Sequence, residues 1–239
     1  MNKVNILLPI AGHGNRFAEK GYELPKPLIK IQDKIIVEKS LESINHTDHN
    51  LIFVVRQEHI VKYNIDSVLY DKFGKDINII EVDYDTDGAI CTCLLAEKFI
   101  DTEDPLVIFT PDCFFEPQFD PTLVDEKLDG VVSVFNSNSS AHSYVVVNDK
   151  GHAVKTAEKE VISNNAVGGL YYFKKGSDFV RNAKVMIKNS KKIKGEFYIC
   201  PVYNYLIEEF NATIGMFPND RHVVLGTPEG LESYLRGEQ

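Results

Sequence analysis

Two glycines, an arginine and a lysine stand at short, fixed distances near the start of the chain, in Ala11-Gly12-His13-Gly14-Asn15-Arg16 and Pro25-Lys26-Pro27. Glycine has no Cβ, so a loop built on it takes unusual backbone angles and brings its amides close to a ligand. Successive N–H donors of this kind form a concavity that suits an anion. Arg16 adds a planar fork that matches phosphate oxygens, and Lys26 adds a point charge held between two prolines. Together these residue types suit the triphosphate of a nucleotide. Neither of two familiar phosphate signatures is present: no Gly-Lys-Ser/Thr follows, and Phe17 stands where Gly-x-Gly-x-x-Gly needs its third glycine. A Gly-x-Gly after a strand also serves as a plain tight turn, so the weight falls on the combination with Arg16 and Lys26.

Three further polar features carry chemistry. Asp112 follows the apolar run Leu106-Val-Ile-Phe109 almost directly. It is the best carboxylate for Mg²⁺, which takes oxygen ligands and leans on one or two carboxylates plus substrate phosphates. The bland alternative is a turn or capping aspartate. Gly88-Ala89 opens a helical pattern, and Tyr84-Asp85-Thr86-Asp87 before it offers carboxylates and carbonyls to the amino group of a base. Glu158-Lys159 ends a strand-like run, where it is either a surface ion pair or a contact to a second substrate.

The elements that must position these residues alternate. Apolar strand patterns fall at 4–10, 51–55, 77–82 and 106–109, with helical patterns at 35–44, 57–73 and 88–99 between them. The 51–55 run is apolar throughout, as for a parallel strand buried on both faces. This rhythm implies right-handed βαβ units and a mainly parallel sheet, with ligands at the carboxyl ends of its strands. The glycine loop (11–17), Gly88 and Asp112 all follow such ends. Strand patterns at 131–135, 144–147, 153–158 and 167–173 add an antiparallel extension. Helices at 177–188, with a Ser/Asp cap signal, and 198–209, with Pro201 in the first turn, precede a last strand at 223–225 and a short terminal helix. The expectation is one domain over 1–239, with a nucleotide half at 1–130 and an acceptor half at 131–239.

The chain has 239 residues, 44% of them hydrophobic and 26% charged, which is ordinary for a globular protein with a sizeable core. A net charge of −9, and no basic run beyond the short Lys188–Lys194 segment, argue against nucleic acid as a partner. The four cysteines lack zinc-site spacing, and no signal peptide is evident, so they read as reduced thiols of a cytoplasmic protein. No apolar run approaches the roughly 20 residues that span a membrane.

The Gly12–Arg16 loop with Pro25-Lys26-Pro27-Leu28, Gly88-Ala89, Asp112, Glu158-Lys159, Val167-Gly-Gly-Leu-Tyr-Tyr-Phe173, Gly195-Glu196 and Gly226-Thr-Pro resemble the sugar-phosphate nucleotidyltransferases over nearly the whole chain. The resemblance implies an α/β fold, a GT-A-like and Rossmann-like single domain with a mixed central sheet. It also implies a Mg²⁺-dependent enzyme that moves a nucleotidyl group from an NTP to a small phosphorylated acceptor and releases pyrophosphate. On this reading Arg16 and Lys26 are catalytic. Ala11, Gly12, Gly14, Asp87, Gly88 and Ala89 bind nucleotide, and Asp112 holds the metal. Glu158, Lys159, Gly169 and Glu196 face the acceptor.

Two departures shape the reading. Val224 replaces the aspartate that often gives a second metal ligand, which leaves Asp112 with phosphates or a borrowed carboxylate such as Asp220. The glutamine that often reads uracil or thymine is absent before Gly88, so CTP is favoured. Small cytidylyltransferases on this fold act on phosphocholine, phosphonates and, in capsule pathways, phosphorylated glutamine, and a short chain suits that group. A homodimer is left open. Two alternatives are a GT-A glycosyltransferase, disfavoured because Asp112-Cys-Phe is no Asp-x-Asp, and a nucleotide-binding relative that has lost turnover.

Overall fold

A computed structural model describes residues 3–238. The first apolar run forms β1 (Asn5–Pro9), followed by the glycine loop and a short helix, α1 (Asn15–Glu19). A small ribbon of β2 (Lys30–Ile31) and β3 (Lys34–Ile35) leads into α2 (Ile36–Leu41). Then come β4 (Asn50–Arg56), α3 (Gln57–Tyr63), α4 (Ile65–Phe73) and β5 (Asn78–Val82). Helices α5 (Ala89–Leu94) and α6 (Glu97–Ile100) precede β6 (Leu106–Phe109) and β7 (Cys113–Glu116). The second half holds β8 (Gly130–Asn136), β9 (Ser143–Val147), β10 (Ala153–Glu158) and β11 (Asn165–Phe173). It ends with α7 (Gly176–Lys188), α8 (Val202–Phe210), β12 (Ile214–Pro218), β13 (Arg221–Val224) and α9 (Pro228–Leu235).

Among the described residues, nine strands join in one sheet that runs through both halves of the chain. β1 pairs in parallel with β4 on one side and β6 on the other, and β4 pairs in parallel with β5. β11 runs antiparallel to both β6 and β8, and β12 extends the sheet parallel to β8. The β9–β10 hairpin joins the start of β11 through Ala166 and Tyr144. This is the mixed, mainly parallel α/β sheet that the alternation of patterns implied.

The central strands are apolar throughout because both faces are covered. Ile6, Leu7 and Leu8 are all fully buried. Ile6 and Leu8 pack with Val37 and Leu41 of α2 and Ile65 and Leu69 of α4. Leu7 packs on the other face with Ile90 of α5, Phe179 of α7 and Leu206 of α8. The chain steps from β1 to β4 and β5, then returns to β6 on the opposite side of β1. The loops leaving β1 and β6 therefore diverge, and ligands of open α/β sheets bind in such a crevice.

Several local expectations shift. The helical pattern at 88–99 breaks into α5 and α6, where the amides of Leu95 and Ala96 bond three residues back and tighten the turn. The helix read from 198 starts at Val202, because the Phe197 amide donates to Asp87 O (2.8 Å) and Cys200 O accepts from the Thr156 hydroxyl (3.1 Å). Pro201 is its cap. Ser177 does not cap α7; its amide and hydroxyl bond to Thr102 O (2.9 Å) and Glu103 (3.1 Å) instead. Strands β7 and β12 were not read from the sequence.

Candidate active site

A cavity of about 610 Å³ lies at the carboxyl ends of β1 and β6, lined by Ala11, Gly12, His13, Gly14, Lys26, Gly88, Ala89 and Asp112 among others. Gly14 is left-handed (φ 71°) as the chain turns into α1. A Cβ there would lie 3.3 Å from Lys26 Cβ, so a bare glycine lets the lysine segment close on the loop. Lys26 Nζ forms an ion pair with Asp112 Oδ1 across the crevice. Gly88 takes a φ of +113°, and a Cβ on it would meet the Phe197 amide nitrogen and carbonyl oxygen at 2.6 Å. That close approach packs the entrance to α5 against the segment before α8.

Arg56, the last residue of β4, is buried in the wall of this cavity. Its Nε donates to Ala11 O (3.1 Å), and its Nη2 donates to Asp85 Oδ1. His13 Nε2 lies 2.7 Å from the same oxygen. The Arg56 bond first, and His13 second, hold the Asp85 carboxyl below the usual carboxylate range.

A second cavity, of about 400 Å³, shares Ala89, Thr110 and Asp112 with the first. Glu158, Lys159, Gly169 and Arg16 line it. Lys159 has a left-handed backbone (φ 56°), and its Nζ donates to the Tyr198 hydroxyl at 2.7 Å. A non-glycine residue held there carries strain of a kind that concentrates at functional sites. Burial pushes the Glu158 carboxyl up, while the Ser143 hydroxyl that donates to it and the charge of Lys159 pull the other way. His142 and His222 also line this cavity, and both contact Phe135: His222 stacks on that ring at 3.8 Å and His142 meets it edge-on at 5.1 Å. Burial pushes His222 down to about 4, so it is neutral at physiological pH.

The structure brings most of the expected residues into these two adjoining spaces and relocates four. Glu196, expected at the acceptor, lines the first cavity; the backbone pairing of Ile193 with Glu196 and the Phe197–Asp87 bond draw it to the Gly88 side. Asp87, expected at the nucleotide, is absent from the cavity lining: its carboxylate pairs with Lys192 (3.0 Å). Arg16 lines the second cavity rather than the first, because α1 begins at Asn15 and carries it off the loop. Asp220 sits beside Glu116 at the far end of the β7–β13 ribbon, whereas Val224 pairs with Cys113, next to Asp112. No second carboxylate is borrowed from Asp220. Arg56, Thr92 and His222 line the site without having been picked out from the sequence.

Among the described residues no group of three or more His, Cys, Asp or Glu side chains could hold a metal ion. Asp112, about half exposed, is thus a one-carboxylate donor set. It fits a Mg²⁺ ion completed by substrate phosphates and water, and does not fit an all-protein cage.

An open, mainly parallel sheet with a glycine loop and a facing aspartate at its topological switch point defines a nucleotide-binding α/β protein. The chain belongs to the nucleotidyl transferase family, whose sequence model matches residues 5–220. The bifunctional protein GlmU of Methanocaldococcus jannaschii is 24% identical over 194 residues, which is 80% of this chain and 45% of that protein. The chain therefore spans less than half the length of this curated relative. A nucleoside-diphosphate-sugar pyrophosphorylase from Vibrio cholerae RC9 superposes with a TM-score of 0.83 at 24% identity, covering 97% of this chain and 99% of the other. A Bacillus anthracis protein described as a glucose-1-phosphate thymidylyltransferase gives 0.77 at 19% identity, over 99% and 95% of the two chains. The inositol-1-phosphate CTP transferase of T. maritima gives 0.75 at 14%, again over 99% and 95%. At these identities the structures share the fold. No helix among the described residues is long and apolar enough to cross a membrane.

Proposed function

We propose that this chain transfers a nucleotidyl group, cytidylyl in preference, from an NTP to the phosphate of a small phosphorylated metabolite. Sugar 1-phosphates and small acceptors such as phosphocholine or phosphoglutamine are the candidate class, with a role in surface-polysaccharide precursors. The observation that carries this reading is the pair of adjoining cavities that meet at Asp112, with Lys26 paired to it. The first is bordered by the glycine loop, the second by Glu158 and Lys159.

An acceptor phosphate oxygen attacks the α-phosphorus, the bond to the β-phosphate breaks, and pyrophosphate leaves. The acceptor oxygen is already anionic, so positioning and charge neutralisation dominate. The amides of the Ala11–Gly14 loop hold the triphosphate, and Lys26 neutralises the α-phosphate as charge builds there. Lys159 and Arg16 take the acceptor phosphate, and Glu158 with Gly169 bounds the acceptor body. Asp112 would hold Mg²⁺, which when bound neutralises phosphate oxygens.

The test is pyrophosphate release with Mg²⁺, using CTP, UTP, GTP, ATP and dTTP against sugar 1-phosphates, phosphocholine and phospho-amino acids. Release that needs both one nucleotide and one acceptor, and stops on chelation, is expected. Nucleotide binding without release for any pair would favour a relative without turnover, and hydrolysis of a nucleotide-sugar instead would favour a glycosyltransferase.

A further inference from the structure

The first cavity contains a charge pair that the glycine loop, Lys26 and Asp112 do not explain. Arg56 is only 9% exposed, yet its guanidinium is fixed at two atoms, by Ala11 O and Asp85 Oδ1. His13 adds a second contact to that same oxygen, and both residues of the pair line the cavity. Among the described residues, Asp85 Oδ2 and Arg56 Nη1 have no protein partner. An arginine this buried would be costly without a partner, and its lock on Ala11 ties it to the nucleotide loop.

We propose that the Arg56–Asp85 pair reads the base of the bound nucleotide, selecting the amino edge of cytosine over the keto edge of uracil and thymine. The inference rests on the nucleotide reading of this cavity and names the residues that would set its preference. Cytosine presents an amino donor at N4, then acceptors at N3 and O2. The pair offers the complement: one carboxylate oxygen, Oδ2, beside guanidinium donors. Uracil and thymine would set the O4 carbonyl against that carboxylate and leave both acceptors unsatisfied. Guanine needs two acceptors, and Oδ1 is already engaged by Arg56 and His13. Adenine shares the amino group and ring nitrogen but lacks the third acceptor, so it ranks second. Sites that hydrogen-bond one base edge reject the mismatched edge strongly.

The experiment measures binding of CTP, UTP, dTTP, GTP and ATP with Mg²⁺ by titration calorimetry, for wild type, Asp85→Asn and Glu81→Gln. Wild type should bind CTP roughly tenfold tighter than UTP, the worth of about one lost hydrogen bond. Asp85→Asn keeps an acceptor for Arg56 but offers an N–H to O4, so the CTP:UTP ratio should fall by about tenfold. Asp85 is a largely exposed side chain, so folding should survive, which a thermal melt checks. Glu81→Gln, exposed on β5 and outside the cavity lining, should leave the ratio unchanged. Equal CTP and UTP binding by wild type, or an unchanged ratio in Asp85→Asn, overturns the inference and leaves nucleotide binding intact. Failure to bind any triphosphate overturns both.

Discussion

Lys26 is held by its surroundings more than by its own segment. Flanking prolines stiffen the backbone, Gly14 packs at its Cβ, and Asp112 takes its ammonium. A cation placed this way acts where charge develops, so Lys26→Ala should lower pyrophosphate release by roughly 10²–10³-fold. Nucleotide affinity measured by calorimetry should fall much less; equal losses in both would give Lys26 a binding role alone. Lys26→Arg should not restore the rate, because a planar fork does not replace a compact point charge. On the acceptor side, Lys159 is tied to the Tyr198 hydroxyl, and Tyr198→Phe should raise the acceptor KM while nucleotide affinity stays put. A rise in nucleotide Kd instead would remove Tyr198 from the acceptor side.

Among the elements, β1, β4 and β6 were legible because burial on both faces demands unbroken apolar runs, and those runs also marked the sheet edge where the two cavities open. β7 and β12 were not. β7 is only four residues long and begins directly after Asp112, and β12 carries Gly215 and ends in Pro218 at a sheet edge. The residues whose types name their chemistry, Gly12, Lys26 and Asp112, do meet at one cavity. Arg56 was missed because an arginine closing an apolar strand looks like a solvent boundary; its partner Asp85 lies 29 residues away. Glu196 borders the other cavity from the one expected and Asp87 borders neither, because distance along the chain does not say which wall of a crevice a loop reaches. Two elements can be tested directly. Gly88→Ala places a Cβ against the Phe197 backbone at a positive φ, and should cost about 2–4 kcal/mol, read as a lower urea midpoint with unchanged slope. The β7–β13 register sets Val224 beside Asp112, so Val224→Asp should lower the melting temperature without metal and let Mg²⁺ raise it further than in wild type. A variant insensitive to Mg²⁺ would show that the ribbon does not bring position 224 to the metal.

For the whole molecule, acidification should be felt through half-buried His222. His222 titrates near 6.5 in an unfolded chain and near 4 when folded, so the unfolded state binds more protons between those values. Stability therefore rises with pH across this window, and is lost as the pH falls through about 6.5 towards 4. Between pH 7 and 5 this one group should cost about 2 kcal/mol. His222→Phe keeps a ring on Phe135 and should flatten that part of the denaturation profile; an unchanged slope would mean the ring is not held neutral. The Lys26–Asp112 pair has a broader consequence. With no ligand, the ammonium of Lys26 and the carboxylate of Asp112 satisfy each other across the crevice. A metal ion alone would strand the ammonium, and a triphosphate alone would strand the carboxylate beside further negative charge. On the proposed function, both halves of the pair would find replacements when the two arrive together, so these two side chains would act as a coincidence detector.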